Sequence, residues 1–405
     1  MSINQQFVSD GLVFYCDTSN VKSYAGKPAT NILTGITSWN GTVDSANYKI
    51  FDAVEKVYIP KLKKNYDCRY VQIYNNDSAN NCCPSLLQYG WPATTTASGN
   101  TLYTYSIIYK CTSGYTHPNY MYHYEYGPSG YITEYGVFDT SKRTDLGSGW
   151  YHAWNTFTTN AATTTMYTGS WYYQYGVYDR YYVAAANLIV GNYIIPPEQM
   201  LASAQTRSNT EGLIDLTGNT TIDLSSATFN SSALITYDGS SCITVNDTAI
   251  LRLAGDKSFL MWINMSADSS GCGFGGKSSG TLAGMSLGYG WNGNGFMSLA
   301  WNSSNAPYLA KDASRDVGKW VLLAAVQSGS TRYIYAIDAS GTRSSSSSGG
   351  THSWDNNLPL KIGRINDYAA MPSGTLIGPV SVYNRALTSA EVLKNFNSLR
   401  SRYNV

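Results

Sequence analysis

The chain has 405 residues, enough for two or three cores of ordinary size. Its 27 Lys and Arg against 26 Asp and Glu leave a formal charge of +1, so nothing in the balance points to nucleic acid, an anionic membrane or a polyanionic substrate. Charged residues are only 13% and the 35 Tyr outnumber the 10 Phe. A surface of Ser, Thr, Asn, Gly and Tyr on an all-β scaffold is expected, which disfavours a cytosolic metabolic enzyme.

The opening "MSINQQFVSDGLVFY" lacks a basic region followed by a long apolar core, so no cleaved secretory signal is expected. No window approaches the ~18 uninterrupted apolar residues of a membrane helix. Strands are predicted at "GLVFYCD" (11–17), "LYTYSIIYK" (102–110), "YMYHYEYG" (120–127) and "YYVAAANLIVG" (181–191). Four more follow at "SFLMWINM" (258–265), "KWVLLAAVQ" (319–327), "TRYIYAID" (331–338) and "LIGPVSVYN" (376–384). All are rich in aromatic and β-branched residues and bounded by Gly, Ser, Asn or Pro. Strands at this spacing without intervening helices predict packed antiparallel sheets. "PPEQMLASAQT" (196–206) reads as a short helix, or a turn and linker. "LTSAEVLKNFNSLRSRY" (387–403) predicts a helix capped by Thr388 and Glu391, with Leu393, Phe396 and Leu399 on its apolar face. "SSSSSGG" (344–350) reads as a flexible hairpin tip.

The seven cysteines, Cys16, Cys68, Cys82, Cys83, Cys111, Cys242 and Cys272, form no CxxC pair and no zinc spacing. Unpaired, mostly buried thiols are expected, in keeping with assembly in a reducing cytoplasm. His117, His123, His152 and His352 stand in no metal motif. No cofactor is expected. "GRINDYAAMPSG" and "LIDLTGNTTID" contain Asp residues suited to structural calcium, but no spacing singles out a site. Glu125 and Glu134 flank a Pro-Ser-Gly turn, and a hairpin there would bring them face to face. They are the nearest approach to a glycosidase pair. The preferred reading is two solvent-edge carboxylates, with no catalytic residue.

Alternation places Tyr120, Tyr122, Tyr124 and Tyr126 in one row and Trp171, Tyr173 and Tyr175 in another. Such a row serves a core, a protein contact surface or a sugar platform, since a sugar's C–H face stacks on a flat ring. The candidate carbohydrate-binding residues are Trp171, Tyr173, Tyr175, Tyr122, Tyr124 and Trp91; Trp91 and Trp39 fall in loops, where a ring is less easily explained as core.

From about Asp215 to Val405 the segments "LITYDGSSCITV", "SFLMWINM", "GCGFGGKSSG", "GKWVLLAAVQSGSTRYIYAIDASG", "LPLKIGRIND" and "GTLIGPVSVYNRALTSAEVLKNF" follow in order. They resemble the concanavalin A-like, laminin-G-like jelly-roll superfamily. That resemblance implies that the 11–17 strand pairs beside the last one and that the helix covers one end of the sandwich. Residues 1–28 would then supply the first strand, 207–405 the remainder, and 29–206 an insertion. Within the insertion, "TLYTYSIIYKCTSG", "GWYHAWNTFTTNAATTTMYTG" and "YYVAAANLIVGNYIIP" are similar to carbohydrate-binding jelly rolls. Asn187-Leu188-Ile189 stands where those modules often carry Gln-Leu-Glu, so the metal or sugar contact usually associated with that Glu is not carried over to this chain. Two jelly-roll sandwiches are therefore expected, one inserted into the other, with a short C-terminal helix.

The whole arrangement, with "DGLVFYCD" at the start and "TEGLIDLTGN" at re-entry, resembles virion proteins of tailed phages. It implies a non-enzymatic capsid decoration or fibre component on the virion surface, made in the host cytoplasm. Its partners would be other virion proteins, and closed homo-oligomers are common among such proteins. The alternatives are a host-attachment lectin for cell-surface glycans and, more distantly, a polysaccharide depolymerase.

Overall fold

A computed structural model describes residues 7–33, 44–45, 48–75, 95–111, 120–136, 141–171, 179–201, 205–278, 284–299, 306–348, 353–365 and 369–405. The chain divides into two compact units. The host unit comprises residues 1–27, 208–230 and 234–405; the inserted unit comprises 28–207 and 231–233.

The host unit contains a six-stranded antiparallel sheet. Its order is Leu12–Cys16, Leu376–Tyr383, Lys257–Asn264, Trp320–Ser328, Thr331–Asp338 and Gly341–Ser348. The opening strand lies beside the last, with Leu12 opposite Tyr383 and Cys16 opposite Val380. A seven-stranded sheet runs Ile222–Asp223, Ile243–Val245, Leu360–Ile362, Cys272–Gly276, Ser286–Tyr289, Asn294–Leu299 and Tyr308–Ala310. Phe14, Phe259, Phe274, Phe296, Leu323 and Trp354 from these sheets and loops share one buried cluster.

The Lys257–Asn264 strand is buried on both faces, which explains its nearly unbroken apolar sequence. Phe259, Met261 and Ile263 join the main core. Leu260 and Trp262 join a second layer with Val392 and Phe396 of the Ser389–Leu399 helix. The helix therefore covers the outer face of the sheet, where an end of the sandwich had been expected. On its inward face Val392 and Phe396 are buried and Leu399 packs against the same cluster, whereas Leu393 is 41% exposed. Its start is as read. Thr388 Oγ1 accepts from Glu391 N at 3.3 Å, and Glu391 Oε2 accepts from Thr388 N at 2.8 Å.

The serine run is not a hairpin tip. Gly341–Ser348 is a strand paired along its length with Thr331–Asp338, and the turn falls at residues 338–341. It has one sheet neighbour, and small polar side chains suit such an edge.

The inserted unit has a seven-stranded sheet and a four-stranded sheet. The first runs Arg143–Gly147, Trp150–Thr158, Leu102–Cys111, Asp179–Val190, Lys64–Asn75, Tyr48–Ile59 and Asp44–Ser45. The second runs Thr95–Thr96, Thr165–Trp171, Tyr120–Gly127 and Gly130–Gly136. Tyr103, Tyr105, Ile107 and Tyr109 point to a core that includes Met166 and Leu188. Ala29–Thr30 pairs with Thr206–Arg207, so the chain enters and leaves this unit side by side. Of 196–206, only Pro197–Gln199 forms a turn of 3-10 helix. Cys16, Cys68, Cys242 and Cys272 are free and buried; Cys82 and Cys83 lie outside the described residues.

Candidate functional site

Of the residues marked as a sugar platform, Trp91, Tyr173 and Tyr175, together with Trp39, lie outside the described residues. Trp171 stands opposite Tyr120 and Tyr122 opposite Gly169, but their side chains lie outside the described set. Tyr124 is half-buried, with its ring 6.4 Å from that of Tyr131. The inward positions of this strand belong to a polar pair. His123 and Glu125 are buried, whereas Tyr124 and Tyr126 are only partly covered. The core reading of the tyrosine row is thus replaced, at these positions, by a buried imidazole and carboxylate.

Glu125 does not meet Glu134 across the hairpin, and it is not at a solvent edge. Its partner in the register is Thr133, and Glu134 stands opposite Tyr124. Glu125 is fully buried, and it accepts hydrogen bonds from Asn160 N at 2.7 Å and Thr163 Oγ1 at 2.5 Å. His123 Nε2 lies 3.1 Å from its other oxygen, and the His123 ring stacks on Phe157 at 3.6 Å. Burial lowers the proton affinity of His123, against the pull of the Glu125 carboxylate. A buried carboxylate is tolerated only when its lone pairs are satisfied, and these partners satisfy them. The group pins the 159–163 turn to the strand. Asn187 does comparable work: its Nδ2 donates to Leu201 O at 2.7 Å and its Oδ1 accepts from Leu201 N at 2.9 Å. Ile189, at the position of the missing Glu, is buried.

The host unit carries a cleft that the sequence did not reveal. Trp262 stacks between Phe396, at 5.2 Å, and Tyr403, at 4.6 Å. Tyr403 in turn lies 4.2 Å from Trp320. Four rings thus form a ladder along the outer face of the six-stranded sheet. Gly378 makes room for it, since a Cβ there would collide with Tyr403 Oη and approach Trp262 Cβ to 2.9 Å. At the end of the ladder opens a cleft of about 380 Å³, lined by Asn264, Arg315, Lys319, Trp320, Asp338 and Tyr403 among others. Burial pushes the Tyr403 hydroxyl up to about 12, so it stays protonated across the neutral range.

An ion network fixes the cleft wall. Fully buried Asp316 accepts from Arg315 Nε at 3.0 Å and from Arg343 Nη1 at 3.0 Å. Asp338 accepts from Arg343 Nη2 at 2.9 Å and from Ser340. Burial raises the Asp338 carboxyl, but these bonds outweigh it and hold the group below its ordinary range. Asp312 caps the short Ala313–Asp316 helix that carries Arg315. The cleft is assembled from residues 264, 315–320, 338–340 and 403–405, four segments with no shared motif. The local signal there is "GKW" at a strand start.

Among the described residues, no group of three or more His, Cys, Asp or Glu side chains could hold a metal ion, and no helix is long and apolar enough to cross a membrane.

Residues 238–393 match the family model of the concanavalin A-like lectin/glucanases superfamily, laminin-G type. No curated protein sequence matches. Among solved structures, domain 4 of AbnA, a GH43 extracellular arabinanase from Geobacillus stearothermophilus in complex with arabinotriose, is 18% identical. That match covers 44% of this chain and 89% of the other, with a TM-score of 0.35. The botulinum neurotoxin serotype D binding domain is 15% identical over 48% of this chain and 51% of its own, with a TM-score of 0.34. A Trypanosoma rangeli sialidase mutant with trans-sialidase activity is 12% identical over 48% of this chain and 32% of its own, with a TM-score of 0.34. The family match falls within the host unit, over the segment that supplies most strands of its two sheets, and supports a concanavalin A-like, laminin-G-like fold there.

Proposed function

We propose that this protein is a non-enzymatic structural protein on the surface of a tailed-phage particle, decorating the capsid or contributing to a head or tail fibre. The observation that carries the non-enzymatic part is how the buried carboxylates are used. Glu125, Asp316 and Asp215 each spend their lone pairs on internal donors that hold a turn or loop. Asp215 accepts from Tyr15 N at 3.0 Å and from Asn219 N at 3.1 Å, tying the re-entry segment to the opening strand. Groups committed in this way are not poised to exchange protons with a substrate.

The virion part is supported by the resemblance of the opening "DGLVFYCD" and re-entry "TEGLIDLTGN" segments to phage particle proteins. Buried free thiols fit assembly in a reducing host cytoplasm, with no signal peptide needed to reach the virion. The partners would be other virion proteins, bound through a nearly neutral, tyrosine-rich surface. A second reading, host attachment through cell-surface glycans, is favoured by the aromatic cleft at Trp320. A glycan platform of Trp171, Tyr173, Tyr175, Tyr122, Tyr124 and Trp91 belongs to the same reading. The test is quantitative mass spectrometry of purified particles, alongside a reducing-end assay of the full chain on host polysaccharide. Stoichiometric copies and no reducing ends are expected; reducing ends released by the purified wild-type chain would overturn the non-enzymatic reading.

A further inference from the structure

We propose that the cleft at Trp320 is a binding site for an acidic saccharide, an inference that rests on the host unit being a non-catalytic lectin-like domain. The indole is half-buried, lines the cleft, and is braced by Tyr403 at 4.2 Å. A braced ring offers a flat apolar face whose ordering entropy is already lost on folding, which is what a pyranose C–H face requires. Its volume of about 380 Å³ lies at the small end of ligand pockets, of a size for one or two sugar rings.

The polar rim decides the class of sugar. Arg315 uses Nε on Asp316 and Nη2 on Ala310 O, which leaves Nη1 to donate. Lys319 Nζ donates once, to Ser314 O at 3.0 Å, leaving two hydrogens. The Asn264 side-chain amide, at the mouth of its strand, has no hydrogen-bond partner among the described residues. Two rim acceptors are engaged: Asp338 by Arg343 and Ser340, and the Val405 carbonyl oxygen by Arg400 Nε at 3.0 Å. Besides the Asn264 amide and the Tyr403 hydroxyl, each of which can donate or accept, Arg315 Nη1 and Lys319 Nζ supply donors on two cations. A ligand rich in acceptors satisfies them, and a sugar carboxylate is an acceptor-only group that pairs with guanidinium and ammonium. Arg315, held by its pair with buried Asp316, needs no rearrangement to receive it.

The experiment is calorimetric titration of the full chain with trigalacturonate and with sialyllactose, each against its own methyl ester as the neutral counterpart. At least one acid is expected to bind, more tightly than its neutral form and less tightly as salt rises. Trp320→Ala should weaken that binding at least tenfold, and Lys319→Ala at least threefold. Lys319 is exposed, so its variant keeps the fold; if Trp320→Ala does not fold, Lys319→Ala and Asn264→Ala carry the test. No binding of either acid, equal binding of acid and neutral form, or unchanged affinity in the folded variants would each overturn the proposal. Failure of the supporting reading is distinguishable: wild-type protein that binds but also releases reducing ends would sink the non-catalytic reading and leave the site standing.

Discussion

The central strands of the two units solve the same burial problem with different chemistry. In the host unit, Lys257–Asn264 buries apolar side chains to both sides, with Phe259 and Met261 on one and Leu260 and Trp262 on the other. In the inserted unit, Leu102–Cys111 sends Tyr103, Tyr105, Ile107 and Tyr109 to the core, while its other face carries buried Thr104, Ser106 and Ile108. The layer over the host strand is an amphipathic helix held by ring stacking. The inserted strand's polar face is closed by hydrogen bonds, such as Thr104 Oγ1 to Gly191 O at 2.7 Å and Asn187 to Leu201. Apolar layers and neutral hydroxyl or amide bonds resist pH change, whereas a buried titratable group such as His152 makes stability depend on protonation.

The largest expected effect tests the apolar side. Trp262→Ala removes the middle of the ring ladder and should destabilise the host unit by about 3–5 kcal/mol. Calorimetry should show the host transition falling while the inserted unit's transition stays in place. Equal shifts in both would erase the distinction between the units.

Next comes the polar side. His152 is buried, and desolvation lowers its pKa from the ordinary 6.5 to about 4. The unfolded chain therefore takes up the proton first as pH falls. The stability tied to neutral His152 is complete above pH 6.5 and is lost progressively down to about 4. The loss amounts to roughly 3 kcal/mol at 1.36 kcal/mol per unit. Urea unfolding at pH 7 and pH 5 should show the inserted unit weakening, and His152→Leu should flatten that dependence. A wild-type inserted unit equally stable at both values would contradict the role given to the buried imidazole.

The smallest effect sits at the helix start. Arg385 Nη2 bonds Glu391 Oε1 at 2.7 Å, and with the Thr388 contacts this holds the carboxyl at about 2, down from the ordinary 4.5. Its stabilisation is present above pH 4.5 and fades as pH falls toward 2. Glu391→Gln should cost about 1 kcal/mol at neutral pH, allowing for partial exposure, and almost nothing near pH 2. A cost that does not shrink with pH would assign the effect to packing instead.

What could be read from the sequence follows the range of each interaction. The Thr388–Glu391 cap spans three residues and is visible as a motif. Strand identity along "SFLMWINM" is visible because its side chains share one character. Which face the helix covers depends on Trp262, more than a hundred residues away, so Leu393 was read as inward in place of Val392 and the helix was assigned to an end. Polarity marked the serines as solvent-facing but cannot separate a loop tip from an edge strand. Alternation found the tyrosine row without telling which face is inside; the partners that settle Glu125, Asn160 and Thr163, lie 35 and 38 residues further on. The cleft at Trp320 draws on four segments, and no local pattern encodes that convergence.

The central claim, a structural role on a virus particle, is tested most directly by electron cryo-microscopy of the intact native particle. Density for both sandwich units is expected at regular positions on the capsid or along a fibre, without added ligand. A particle reconstructed at sufficient detail with no density for this chain would contradict it.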